Sequence, residues 1–114
     1  MKTIDVIKIL PFEEEFKKEM LLSFDTFDED LKFEMERIIW DIYDAIFKLK
    51  VEEKLELGLE DFKYGTTAPD PDFYQKIVEQ VKKEMSSEAI QTQGKVDLEF
   101  TREALHDLMQ KNSN

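Results

Sequence analysis

The chain has 114 residues, with 16 Lys plus Arg against 27 Asp plus Glu, which gives a net charge of −11 at pH 7. Because binding to DNA, RNA and anionic membrane surfaces is driven by cationic side chains, this charge opposes direct binding to any of them. The chain has no cysteine, which excludes disulfides, thiolate metal ligands and thiol nucleophiles.

The length predicts a single domain over residues 1–114, with a tail at 111–114 that frays. Nine Phe and 41% hydrophobic residues supply ample material for a core. No stretch approaches the roughly 20 apolar residues of a membrane span, and Asp5 and Lys8 interrupt the N-terminal apolar run. We therefore expect a cytoplasmic protein without membrane insertion.

The N-terminal segment carries two different signals. Residues 3–10 are rich in Ile and Val, which favours a strand by composition but also suits a short lead-in packed on helices. Pro11 suits the first turn of a helix, and the glutamates at 13–15 suit its positive dipole end. Four apolar residues then recur at every fourth position: Phe12, Phe16, Met20 and Phe24. This spacing predicts a first long helix over about 11–23.

The stretch from Asp28 to about Leu49 predicts the central helix of the fold. One apolar stripe comprises Leu31, Met35, Ile38, Ile42, Ala45 and Leu49. A second stripe, at intervals of seven, comprises Phe33, Trp40 and Phe47. The strip left for water comprises Glu34, Arg37, Asp41, Asp44 and Lys48. A helix this apolar is expected to be covered on more than one side, by its own chain or by a partner.

The ends of this helix are less sharply marked. Thr26 with Glu29 three residues later has the form of a capping box that opens it. Helical spacing continues beyond Lys50, but Gly58 interrupts it, and an interior glycine costs about 1 kcal/mol relative to alanine. We expect helix to about residue 57, with a bend or restart at Gly58.

The C-terminal half predicts two further helices. Asp70-Pro71-Asp72 reads as a helix start, and the third long helix has a face of Phe73, Ile77, Val81 and Met85. Residues 90–100 are ambiguous, because the alternation of Val96, Leu98 and Phe100 suits either a β-hairpin or a linker leading to a helix from about Asp97. A short last helix follows from Ala104, Leu105, Leu108 and Met109.

These elements predict an all-α fold: a compact bundle of three longer helices plus a short C-terminal helix, with a small β-hairpin near residues 90–100 as an option. No cofactor is expected.

An acidic cluster spans the start of the central helix: Asp25, Asp28, Glu29, Asp30, Glu34 and Glu36. This cluster does not match the pattern of a calcium-binding EF-hand loop, because Phe27 stands where the pattern requires an oxygen ligand and Asp30 stands where it requires the turn glycine. Acidic residues at helix starts are stabilised by the helix dipole, which explains much of the clustering.

Glu103 and His106 have the spacing of one half of a carboxylate metal site. With one histidine in the chain, such a site needs a dimer to complete it, and a solvated surface pair is the simpler interpretation. Asp41 and Asp44 alternate with basic residues at helical spacing, as on an exposed face. The sequence therefore predicts no catalytic residues.

The aromatic stripe carries the leading functional hypothesis. Phe33, Trp40 and Phe47, with Tyr43 beside them, either pack under the neighbouring helices or receive a partner, since aromatic residues concentrate binding energy at interfaces. We expect a non-enzymatic interaction module or small acidic subunit with a protein partner or a second copy. The alternative is an acidic nucleic-acid mimic that inhibits a basic protein, and a dimer-assembled metal site ranks third.

Overall fold

The computed structural model of the chain describes residues 2–63, 65, 71–87 and 98–112. Within those ranges the chain forms five α-helices and no strands: α1 (Thr3–Ile9), α2 (Glu14–Thr26), α3 (Glu29–Lys63), α4 (Phe73–Ser87) and α5 (Leu98–Asn112). The predicted all-α class is confirmed.

Of residues 3–10, which the composition left open between strand and lead-in, residues 3–9 form helix α1 and Leu10 is its C-terminal cap. Helical geometry places Val6, Ile7 and Leu10 on one face, and all three are fully buried. A strand would have turned Val6 and Ile7 to opposite faces. The Asp5 carboxylate accepts a hydrogen bond from the backbone N–H of Lys2 at 3.1 Å and closes the first turn. Burial of one face therefore overrides the strand propensity of Ile and Val.

The junction between α1 and α2 is fixed by a proline and a buried lysine. Leu10 precedes Pro11 and has extended backbone angles, as expected of a residue before proline, so α1 ends at Ile9. The helix predicted from residue 11 accordingly begins at Glu14. The Nζ of Lys17, only 6% exposed, donates a hydrogen bond at 3.0 Å to the carbonyl of Lys8. That carbonyl lies in the last turn of α1, where no helical donor remains for it.

Helix α3 begins one residue after its cap. The predicted capping box at Thr26 is wrong, because Thr26 is the last residue of α2 and its hydroxyl donates to the carbonyl of Ser23 at 3.0 Å. The cap is Asp28, whose carboxylate accepts a hydrogen bond from the N–H of Leu31 at 2.9 Å. This bond satisfies one of the free N–H groups of the first turn.

Helix α3 continues through Gly58 to Lys63, so the expected end near residue 57 is wrong. The reason for the glycine lies on α4. The ring of Phe73 occupies the space that a Cβ at position 58 would need, and it also packs edge-to-face on Phe62 at 4.7 Å between ring centroids. Gly58 therefore serves helix packing rather than helix termination.

We predict that Gly58→Ala lowers the free energy of unfolding by about 1 kcal/mol, because overpacking costs about 1–3 kcal/mol and the higher helix propensity of alanine returns about 1 kcal/mol. In a Phe73→Ala background the same substitution is expected to be stabilising, since only the propensity effect remains. Urea denaturation of the four proteins measures both effects. An equal effect of Gly58→Ala in both backgrounds would contradict the packing of Phe73 on Gly58.

The C-terminal helices differ from expectation mainly in length. The predicted face of α4 is confirmed, with Ile77, Val81 and Met85 buried and Phe73 packed partly against the core. Helix α5 has 15 residues, as many as α4, and so is not short. It includes Lys111 and Asn112, which were expected to fray. Of the segment considered for a hairpin, residues 98–100 are helical and residues 90–97 lie outside the described residues.

Helix α3 is the axis of the molecule. It packs against α1, α4 and α5, while α2 packs against α1 and α5. At 1.5 Å per residue its 35 residues span about 52 Å, most of the longest dimension of 61 Å. The radius of gyration is 17.2 Å, above the roughly 13 Å of a compact domain of this length. The predicted compact bundle of three longer helices is therefore not confirmed.

The buried face of α3 changes along its length. In the first half the buried residues share one face: Met35, Ile39, Ile42 and Ile46. The next buried residue is Val51, which lies about 140° around the helix from Ile46 at 100° per residue. The second half, including Gly58 and Phe62, turns toward α4. The two ends of α3 thus bury different faces of the helix.

Across the residues that the structure describes, no helix combines the length and apolar character needed to cross a membrane.

Candidate interaction surface along α3

The predicted water-facing strip of α3 is confirmed. All five of its residues are exposed: Glu34, Arg37, Asp41, Asp44 and Lys48. The interpretation of Asp41 and Asp44 as a solvated pair thereby gains support, because both residues are exposed to water.

The four aromatic residues predicted to bind a partner fall into different environments. The side chain of Phe33 is 69% exposed, although it lies on the most heavily packed helix of the fold. Trp40, Tyr43 and Phe47 are each partly buried against the core. The stripe is therefore continuous along the helix but is not one open surface.

Trp40 is bound to α1, and Tyr43 packs on Trp40. The indole N–H of Trp40 donates a hydrogen bond to the Thr3 hydroxyl at 3.1 Å, and the rings of Trp40 and Tyr43 pack edge-to-face at 5.4 Å. A polar anchor of this kind is typical of a tryptophan that is held inside its own fold. Helix α1, whose conformation could not be decided from the sequence, thus covers Trp40 at the centre of the aromatic stripe.

The environment of Tyr43 also affects its ionisation. Burial raises the pKa of its phenol above the usual 10.0, and the negative charge of Asp44 raises it further. The neutral phenol is thus favoured in the folded protein. The resulting stability is fully present below pH 10 and is lost as the pH rises through the raised pKa.

We predict that an alkaline titration of tyrosinate absorbance in the folded protein contains a component at higher pH than the unfolded chain shows, and that Tyr43→Phe removes it. The chain unfolded in urea, in which all three tyrosines are expected to titrate together, provides the reference. Retention of the full late component in Tyr43→Phe would contradict this environment for Tyr43.

Phe47 lies in an open groove between α3 and α4. The groove has a volume of about 270 Å³ and is lined by Phe47, Lys48, Val51, Glu52, Leu55 and Tyr74. Tyr74 is 59% exposed, and Leu59, one turn beyond Leu55, is 57% exposed. Apolar side chains therefore remain open to solvent along this side of the α3–α4 pair.

A second groove lies between α3 and α5. It has a volume of about 230 Å³ and is lined by Ile38, Asp41, Ile42, Ala45, Phe100, Thr101 and Ala104. Phe100 is 74% exposed, the largest exposed fraction among the large apolar side chains of the described residues. Both grooves are smaller than the roughly 300–1,000 Å³ of pockets that enclose small molecules, so they suit side chains of a macromolecule better.

The acidic cluster remains a surface feature. Asp25, Asp28, Glu29, Asp30 and Glu34 are exposed and Glu36 is partly buried. Glu103 and His106 are exposed on α5, and among the described residues no group of three or more His, Asp or Glu is placed to hold a metal. A site completed by a second copy stays a prediction.

The sequence did not identify Val51, Leu55, Tyr74 or Phe100 as site residues. The helical spacing past Lys50 was a signal for Val51 and Leu55, whereas Tyr74 and Phe100 join the site only because α4 and α5 fold back on α3. Comparisons with protein-family models, curated proteins and solved structures returned no match. The function is therefore argued from the surface of α3.

Proposed function

We propose that this chain is a non-enzymatic, cytoplasmic interaction module or small acidic subunit that binds a protein partner through the apolar grooves beside α3. The observation that carries the proposal is a set of five large apolar side chains on α3, α4 and α5, each more than half exposed: Phe33, Leu57, Leu59, Tyr74 and Phe100. Tyr74 and Phe100 each line one of the two grooves, and exposed apolar groups beside a groove are typical of interaction sites.

The chemistry of both grooves supports a binding role. Their linings are mainly aliphatic and aromatic, with one charged residue in the α3–α5 groove and two in the α3–α4 groove. Such surfaces gain binding energy by removing apolar area from water, about 25 cal/mol per Å². Aromatic side chains at their edges are suited to act as anchors that carry a large share of that energy.

We predict that Phe33→Ser and Phe100→Ser weaken binding to the partner by about tenfold or more, as expected for an interface anchor. Leu22→Ser is the matched control, because Leu22 is 70% exposed but lies on α2, which contributes no residue to either groove. Crosslinked pull-downs identify the partner, and size-exclusion chromatography with light scattering detects self-association. A strict monomer without a specific partner, or equal effects of all three substitutions, would refute the proposal.

The alternative, an acidic mimic of nucleic acid, is favoured by one observation. Residues 1–62 hold 18 acidic and 9 basic side chains, a net charge of −9, and most acids of the predicted cluster are exposed. Carboxylates that replace phosphates would bind a basic partner with an affinity that falls steeply with salt. Apolar docking predicts a weak salt dependence, so the same partner measured at two salt concentrations separates the two functions.

A further inference from the structure

The groove between α3 and α4 is bordered by two antiparallel helices. The N-terminal end of α4 contacts the far end of α3 through Phe73 on Gly58 and Phe62. Further along α4, Glu84 forms an ion pair of 3.1 Å with Lys54. Helix α4 therefore runs back along α3, and the groove lies beside this pair of helices.

The apolar residues that line this groove have the spacing of a surface that binds a helix. Phe47, Val51 and Leu55 recur at every fourth position of α3 and line the groove, and Tyr74 is the lining residue from α4. Residues at this spacing lie in a row along one face of a helix. A third helix laid in the groove would complete a three-helix packing unit, the arrangement in which an amphipathic helix docks its apolar face.

The charges beside the groove select the partner. Four exposed charged residues stand one turn apart along α3, and three of them are acidic: Asp44, Lys48, Glu52 and Glu56. Of these, Lys48 and Glu52 line the groove itself. A second copy of this chain would bring the same acidic row to the interface, where like charges destabilise the complex. A helix with cationic flanks would instead meet charges of opposite sign, and the net charge of −11 would speed its approach.

We propose that the α3–α4 groove binds the apolar face of a basic amphipathic helix from another protein, with its lysine or arginine side chains beside the acidic row of α3. The inference rests on the proposed interaction function, because it names the chemistry of the partner. This mode of binding differs from that of an acidic nucleic-acid mimic, because it requires apolar contact with Leu55 and Tyr74.

The test uses two synthetic probes with the same leucine face. Each is a helical peptide of about 18 residues, five turns, with lysine on the polar face in one and glutamate in the other. Fluorescence anisotropy of the labelled peptides with the full chain, at about 0.15 M salt to screen long-range attraction, gives the two affinities. We expect the lysine peptide to bind at least about tenfold more tightly than the glutamate peptide.

Substitutions in the groove separate docking from non-specific charge attraction. Tyr74→Ser and Leu55→Ser are each expected to weaken binding of the lysine peptide by about tenfold, while Leu22→Ser leaves it unchanged. Because Leu55 is partly buried, circular dichroism checks the fold of each variant, and the exposed Tyr74 carries the test if Leu55→Ser unfolds. Equal affinities for all variants would overturn the inference, as would equal binding of the two peptides.

The outcomes also separate this inference from the proposed function. If Phe33→Ser and Phe100→Ser weaken partner capture while the lysine peptide does not bind, the interaction function stands and the groove assignment is wrong. If light scattering shows a dimer that Tyr74→Ser converts to a monomer, the occupant is a second copy and the basic helix is excluded. If no partner, dimer or peptide binding is found, both are wrong.

Discussion

The structure depends on one constraint: a 35-residue helix whose apolar residues face two directions must be covered from two sides. Between Ile46 and Val51 the buried face of α3 turns by about 140°, so no single neighbouring helix can bury both halves. Helices α1 and α5 pack beside the first half, and α4 covers the second. This arrangement also produces the two grooves. Where a helix packs on α3 and no further helix covers the space between the two, a groove remains open to solvent.

The spacing of apolar residues correctly predicted the buried face of helices that bury only one side. The four-residue repeats of α2 and α4 gave their buried faces correctly, because each helix presents one side to the core. The same reasoning missed Ile39 and Ile46, which are fully buried, since the apolar circumference of α3 offers several possible stripes. The conformation of α1 is instead determined by the burial of Val6, Ile7 and Leu10. The role of Gly58 is determined by the ring of Phe73, which belongs to another helix.

Part of the candidate site could be predicted from the sequence. The exposed strip of α3 followed from charge spacing, and Phe33 and Phe47 were identified from the aromatic stripe. Trp40 belongs to the same stripe but is covered by α1, an element whose conformation the sequence left open. The groove residues Tyr74 and Phe100 required the relative placement of helices far apart in the chain, which no short-range pattern encodes. Tertiary contacts thus determine which part of an apolar helix remains available to a partner.

The packing of α4 has a consequence for how the molecule opens. Among the described helices, α4 has its main contact with α3, whereas α2 packs against both α1 and α5, and α1 and α5 each pack against α3 as well. Detaching α4 therefore removes one set of contacts and the Lys54–Glu84 ion pair, and leaves the packing around Trp40 in place. Sub-global opening of this kind requires less free energy than complete unfolding. Amide hydrogens of α4 should accordingly exchange with solvent faster than those of the first half of α3, and occupation of the groove by a bound helix should slow them.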